Sequence, residues 1–215
     1  MNVKDFAQGN VLFKNVYFKK HEAELLELAH QGQAPKALFI GCSDSRVVPD
    51  IILQTKPGDL FVVRNVGNFV PPHKVDKDFH STASAIEYAV SVLNVNDIII
   101  CGHSDCGAIK HLFAPKPPRE QSLTYINNWL KLAQKAKSMA LVSLGKDAKE
   151  TDILRTTEKL SIITQLDNLM TYPEVKKRLD DETLYIHGWY YDVQSGNIDY
   201  YDPETFQFVP LESKK

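Results

Sequence analysis

The sequence predicts an α/β fold: a mainly parallel β-sheet core flanked by helices, with an N-terminal helical arm and an antiparallel C-terminal edge strand. Three observations lead there. Short, nearly continuous apolar runs, Lys36 to Cys42 (KALFIGC), Leu60 to Arg64 (LFVVR) and Asp97 to Gly102, have the pattern of strands buried on both faces of a parallel sheet. Helical periodicity alternates with these runs, and such alternation implies parallel pairing through crossover connections. Thr183 to Asp192 (TLYIHGWYYD) is rich in aromatic and β-branched residues, and Ser195-Gly196 offers a turn into Asn197 to Tyr201, which reads as a terminal hairpin.

The elements follow in order. From Asn10, read as an N-cap, Phe18, Leu25, Leu26 and Ala29 recur on helical spacing until Gly32 and Pro35 stop the helix. Residues 1–34 are therefore read as the arm and 35–215 as a single α/β domain. Pro57-Gly58 turns the chain into the second strand, and Ser81 to Leu93 sets Ile86, Ala89, Val90 and Leu93 on one helical face before the third strand. The Pro-rich residues 115–118 end a short helix. Two longer helices are expected over Ser122 to Met139 and Asp147 to Met170, the latter stopping before Pro173.

A length of 215 residues suits one domain with a helical extension, and 43% hydrophobic with 24% charged residues excludes disorder, collagen and coiled coil for the whole chain. Twenty-five Lys and Arg against 27 Asp and Glu leave a formal charge of −2, so nothing drives the chain toward nucleic acid or an anionic membrane. Its apolar stretches fall far short of the ~20 residues that cross a bilayer. The first ten residues show neither the basic nor the apolar region of an export signal, so a cytoplasmic location is expected. Three cysteines, Cys42, Cys101 and Cys106, are too few and odd in number for a disulfide framework and point instead to metal or catalysis.

Ligands in open parallel sheets gather at the carboxyl ends of the strands. Two clusters fall there: Cys42-Ser43-Asp44-Ser45-Arg46 after the first strand and His103-Ser104-Asp105-Cys106-Gly107 after the third. Zinc favours thiolate and imidazole ligands in a tetrahedron, and catalytic sites commonly use three protein ligands and keep one position open. Cys42, His103 and Cys106 supply such a set, with Asp44 either a fourth ligand or a neighbour of the metal. Asp44 and Arg46 are spaced for a charge-assisted pair. Cys101 is the rival ligand, but it continues the apolar run Ile98-Ile99-Ile100 and reads as a buried structural thiol. His73 or His80, on the polar loop, is a candidate proton relay.

The paired motifs C-x-D-x-R and H-x-x-C, with GCSDSRVVPD, FVVRNVGN, SAIEYAV and the run from Ile99 to Lys110 in this order, resemble the β-class carbonic anhydrases over roughly residues 30–200. The resemblance implies a zinc enzyme with one ion per subunit that interconverts carbon dioxide and bicarbonate. It implies Cys42, His103 and Cys106 as ligands and Asp44 paired to Arg46 as the catalytic pair. Within that family the chain is similar to the plant-like pattern, in which Gln33, Phe61, Val66 and Tyr88 bind substrate. Arg64 and Tyr191 are present, but Phe39 stands where a bicarbonate-inhibited pattern carries Trp. A closed Asp44–Arg46 pair is therefore expected. The resemblance further implies a homodimer or dimer-based homotetramer, with the arm on a neighbour and pocket residues supplied across the interface.

Two other readings share these residues. Hydrolysis of carbon disulfide or carbonyl sulfide would suit the same scaffold, and a non-catalytic zinc module would keep Asp44 on the metal. A cysteine phosphatase is excluded, because its phosphate loop spaces Cys and Arg six apart and here they are four apart.

Overall fold

The computed structural model of the chain describes residues 2–115, 123–145 and 147–211. Among them six strands form one sheet in the order β2-β1-β3-β4-β5-β6: β1 (Ala37–Cys42), β2 (Leu60–Asn65), β3 (Asp97–His103), β4 (Tyr185–Tyr191), β5 (Ile198–Asp202) and β6 (Gln207–Pro210). The first four run parallel, and β5 and β6 close the C-terminal side antiparallel. The expected single antiparallel edge strand is thus two strands. The four residues of β6 were too short a signal to read.

The apolar runs end up where their patterns require, with one exception. Every residue of β1 is buried, and so is every residue of β3 after Asp97. Leu38, Ile40, Ile98 and Ile100 face one core, while Ala37, Phe39, Ile99 and Cys101 face another on the opposite side of the sheet. LFVVR was read as a strand buried on both faces, but β2 is an edge strand: Val62 and Arg64 are exposed and its other residues half-buried. Among the described residues no second strand covers its outer side.

The helices that position the site are α3 (Pro49–Leu53), α4 (Ser81–Glu87), α5 (Gly107–Phe113), α6 (Thr124–Trp129), α7 (Gln134–Leu144), α8 (Glu150–Leu169) and α9 (Pro173–Asp180). The helix read over Ser81 to Leu93 is α4 continued by a wide π-type turn over Tyr88–Val92, with Ile86, Ala89 and Val90 buried as the spacing required. Helix α8 lies close on the sheet because two glycines leave room for it. A Cβ at Gly102 would stand 2.7 Å from Cγ1 of Ile162, and one at Gly188 would stand 2.9 Å from its Cγ2. Most of the Pro-rich stretch, residues 116–118, and the expected helix start at Ser122 lie outside the described residues.

The N-terminal segment holds α1 (Val3–Leu12), a π-type turn over Phe13–Phe18 and α2 (Glu22–Gln31), and neither helix buries a residue. Asn10 is not the N-cap. That role falls to Asn2, whose side chain accepts from the amides of Lys4 and Asp5 while the Asp5 carboxylate accepts from the Asn2 amide. Gly32, at φ 81°, ends α2 in a backbone conformation that side chains resist.

Candidate metal centre

The carboxyl ends of β1 and β3 are neighbours in the sheet, so the loops that leave them converge. The Sγ atoms of Cys42 and Cys106 and a ring nitrogen of His103 lie within 4.8 Å of one another, and all three residues are buried. His103 Nδ1 bonds the Ser104 carbonyl at 2.9 Å, which makes Nδ1 the protonated nitrogen. Nε2 is then a bare lone pair, buried and without a hydrogen-bond partner. A buried imidazole nitrogen facing two sulfurs is what a soft divalent cation requires, and no described residue competes for it. The donor set fits zinc.

The thiols behave as one unit. Proton sharing with Cys106 holds the Cys42 thiol well below its ordinary value, against the opposing effect of burial, and the same contact together with burial raises that of Cys106. The pair therefore holds one proton between two sulfurs, and a cation displaces it. The amides of Asp44 and Gly67 each donate to Cys42 Sγ at 3.4 Å. Amides of Ala108 and Ile109, in the first turn of α5, favour the Cys106 thiolate in the same way. Burial works against the His103 imidazolium, yet the negative charge of the nearby Cys42 sulfur outweighs it and the group's pKa is raised.

Asp44 stands beside this group. Its Oδ2 is 3.9 Å from His103 Nε2, but both carboxylate oxygens are held by Arg46, at 2.9 Å from Nε and 2.7 Å from Nη2. Arg46 holds the carboxyl well below the usual range. The same Nη2 donates to the Asp105 carbonyl at 3.1 Å, and Arg64 donates to the carbonyls of Cys42 at 3.0 Å and Asp44 at 2.7 Å. Arg64 thus fastens the loop that carries Cys42 and Asp44.

The expected substrate residues divide. Val66 precedes Gly67, accepts from Trp129 Nε1 at 2.6 Å, and lines an apolar depression with Ser43, Asn65, Tyr125, Ile126 and Trp129. Phe61 and Tyr88 touch each other, with ring centroids 5.9 Å apart, but at the other end of the sheet. Phe61 is in register with Leu38, whereas Asn65 is in register with Cys42, a separation of about 13 Å at the rise of an extended strand. Gln33 is exposed ahead of β1. One chain does not bring these three to the metal group.

Cys101 packs in the Phe39 core, outside the metal group, and burial pushes its thiol up to about 12. His80 bonds Asp76 at 2.7 Å, and the His73 ring packs on Tyr172; neither approaches the sulfurs. Sequence reasoning missed Trp129, Arg155, Glu158 and Tyr190. The last three form a network beneath Cys106, in which Glu158 accepts from the Cys106 amide at 3.0 Å and from Tyr190 Oη at 2.8 Å.

The chain is similar to known proteins. A sequence model of the carbonic anhydrase family matches residues 37–198. Carbonic anhydrase of Pseudomonas aeruginosa is 41% identical over 209 residues, 97% of this chain and 92% of its own. That of Synechocystis is 39% identical over 207 residues, 96% and 74% of the two chains. The solved β-carbonic anhydrase CcaA superposes with a TM-score of 0.90 at 37% identity, covering 98% of this chain and 92% of its own. The chain belongs to the β-carbonic anhydrase family. Its reaction is the reversible hydration of carbon dioxide to bicarbonate and a proton, and its metal is zinc. A solved structure described as one of two tetrameric β-carbonic anhydrases of Sordaria macrospora is 29% identical, with a TM-score of 0.80 over 93% of this chain and 97% of its own. Among the described residues of this carbonic anhydrase no helix is long and apolar enough to cross a membrane.

Proposed function

We propose that Cys42, His103 and Cys106 are the zinc ligands of this carbonic anhydrase, one ion per subunit, and that Asp44 and Arg46 are its catalytic pair. The unpartnered, buried Nε2 of His103 between two sulfurs carries this reading. Zinc, when bound, makes solvent nucleophilic near neutral pH.

Asp44 Oδ2 faces the same space as that nitrogen, so it is placed to accept a hydrogen bond from the attacking solvent and aim its lone pair at carbon. Arg46 makes this possible in two ways. Its fork keeps Asp44 an ionised acceptor at any working pH, and it occupies the carboxylate that would otherwise become a fourth ligand. Release of Asp44 is then an off-state. Two thiolates cancel the formal charge of the cation and make solvent harder to ionise, an effect that the amides on Cys42 Sγ oppose by drawing charge off the sulfur. The operating pH is expected to lie above that of an all-histidine site.

Carbon dioxide has no charge to grip, so its place must be apolar. Val66 supplies one wall, and Gln33, Phe61 and Tyr88 of a second copy supply the rest, the plant-like pattern, with Gln33 donating to an oxygen of nascent bicarbonate. Apolar side chains left exposed support a homodimer or dimer-based homotetramer: Phe6, Leu12 and Val16 on the N-terminal arm, Val62 on the edge strand, and Val92 after α4. Three free cysteines suit a reducing, cytoplasmic location.

The test is stopped-flow carbon dioxide hydration on metal-quantified protein, wild type beside Asp44→Asn. We expect zinc to be retained and turnover to fall by about 100-fold or more, the range of a lost proton-handling group. Unchanged turnover in zinc-loaded Asp44→Asn would refute the role.

A further inference from the structure

Glu158 is the buried charge that the mechanism does not use. Its side chain is 2% exposed, on α8, and its Oε1 accepts from the amide of Cys106, a proposed zinc ligand. Placing a carboxylate behind a thiolate is costly, and a neutral glutamine oxygen would satisfy that amide as well. The charge has a further partner, Arg155. Arg155 Nη1 lies 3.3 Å from Glu158 Oε2 and 3.2 Å from Tyr190 Oη, and its Nη2 reaches Asp105 Oδ2 at 3.2 Å.

Asp105 sits between His103 and Cys106 at φ 60°, a left-handed conformation that a non-glycine residue keeps only when its surroundings impose it. Here both carboxylate oxygens are gripped, Oδ1 by Lys110 at 3.3 Å and Oδ2 by Arg155 and by Gln194 at 3.3 Å. The backbone so fixed presents the carbonyl that accepts Arg46 Nη2, the same nitrogen that bonds Asp44 Oδ2. The contacts run without a gap from Glu158 through Arg155 and Asp105 to Arg46 and Asp44.

We propose that Arg155, oriented by Glu158 and Tyr190, is a positioning residue that keeps Asp44 off the metal by fixing the Asp105 carbonyl against Arg46. This rests on the reading that Arg46 holds Asp44 away from zinc. Without Arg155 the Asp105 backbone relaxes toward negative φ, its carbonyl turns away, and Arg46 loses the acceptor that sets its fork.

The probe is azide binding to the cobalt-substituted protein, read from the visible absorption bands, since azide competes with Asp44 for the open position. Arg155→Met should bind azide about tenfold more weakly than wild type, the loss of one charge-assisted hydrogen bond. Arg155→Lys should lie closer to wild type. In an Asp44→Asn background Arg155→Met should have no effect, because the competing carboxylate is gone. Should Arg155→Met fail to hold cobalt, Asp105→Asn, which keeps the tolerance for left-handed backbone but loses the charge, should weaken azide in the same way. Equal affinity in wild type and Arg155→Met would overturn the inference, and so would an equal loss in the Asp44→Asn background, which would mark Arg155 as merely structural. Wild-type protein that binds cobalt but no azide would refute the Asp44 reading itself, and the inference with it.

Discussion

Helix α8 carries Glu158 and Ile162 on its buried face, so its distance from the sheet is set by the glycine that precedes His103. Gly102→Ala tests this. The added Cβ would stand 2.7 Å from Ile162 Cγ1 and 2.8 Å from its Cδ1, about 0.8 Å inside the ordinary carbon contact for the nearer atom. Ile162 is fully buried and β-branched, and its other branch already fills the space above Gly188, so rotation gives little relief. Overpacking of this kind costs about 1–3 kcal/mol, and at about 2–4 °C per kcal/mol the melting temperature should fall by about 2–12 °C. Thermal unfolding by circular dichroism at one fixed protein concentration measures it. Ile162→Val removes Cδ1 and alone should cost about 0.5–1.5 kcal/mol. The double variant should then lose less than the sum, by at least about 0.5 kcal/mol. Strict additivity, or a Gly102→Ala protein as stable as wild type, would refute the packing argument.

Cys101→Ser should leave one zinc per chain, measured by atomic absorption, while burying a hydroxyl in the Phe39 core costs about 1–3 kcal/mol in urea unfolding; an emptied site would make Cys101 a ligand. Tyr172 donates to the Pro71 carbonyl at 2.9 Å, and burial pushes its hydroxyl up from 10.0 to about 12. The folded state therefore keeps this proton after the unfolded chain has lost it, so stability should fall as pH rises from 10 to about 12, by up to about 3 kcal/mol. Tyr172→Phe should lack that alkaline loss in urea unfolding followed from pH 8 to 11.5, and curves that stay parallel to wild type would contradict it.

The parts of the fold that were legible in the sequence are those whose signals are local. β1 and β3 are apolar throughout because both faces are covered, and the two metal-binding loops follow them directly. β2 carries the same apolar letters yet lies at an edge, since hydrophobicity does not say whether a neighbouring strand or another surface covers a residue. The long helix stops before Pro173 as expected, at Leu169, but Pro173 itself opens a further helix, α9, where its missing amide costs nothing. Only Val175 of that helix is buried, so no periodicity marked it. Arg155 and Glu158 resemble surface charges of an amphipathic helix; their partners Asp105 and Cys106 lie 50 and 52 residues away in sequence, and only the tertiary fold brings them together. Gln33, Phe61 and Tyr88 were assigned by family resemblance, and in one chain they stand apart from the sulfurs.

Zinc-edge X-ray absorption on fully reduced protein tests the ligand set most directly. Two sulfur and two lighter scatterers are expected around each zinc, unchanged in Cys101→Ser and reduced to one sulfur in Cys106→Ser if the ion is retained. Three sulfurs in the wild type, or reduced protein that holds no zinc, would contradict the assignment of Cys42, His103 and Cys106.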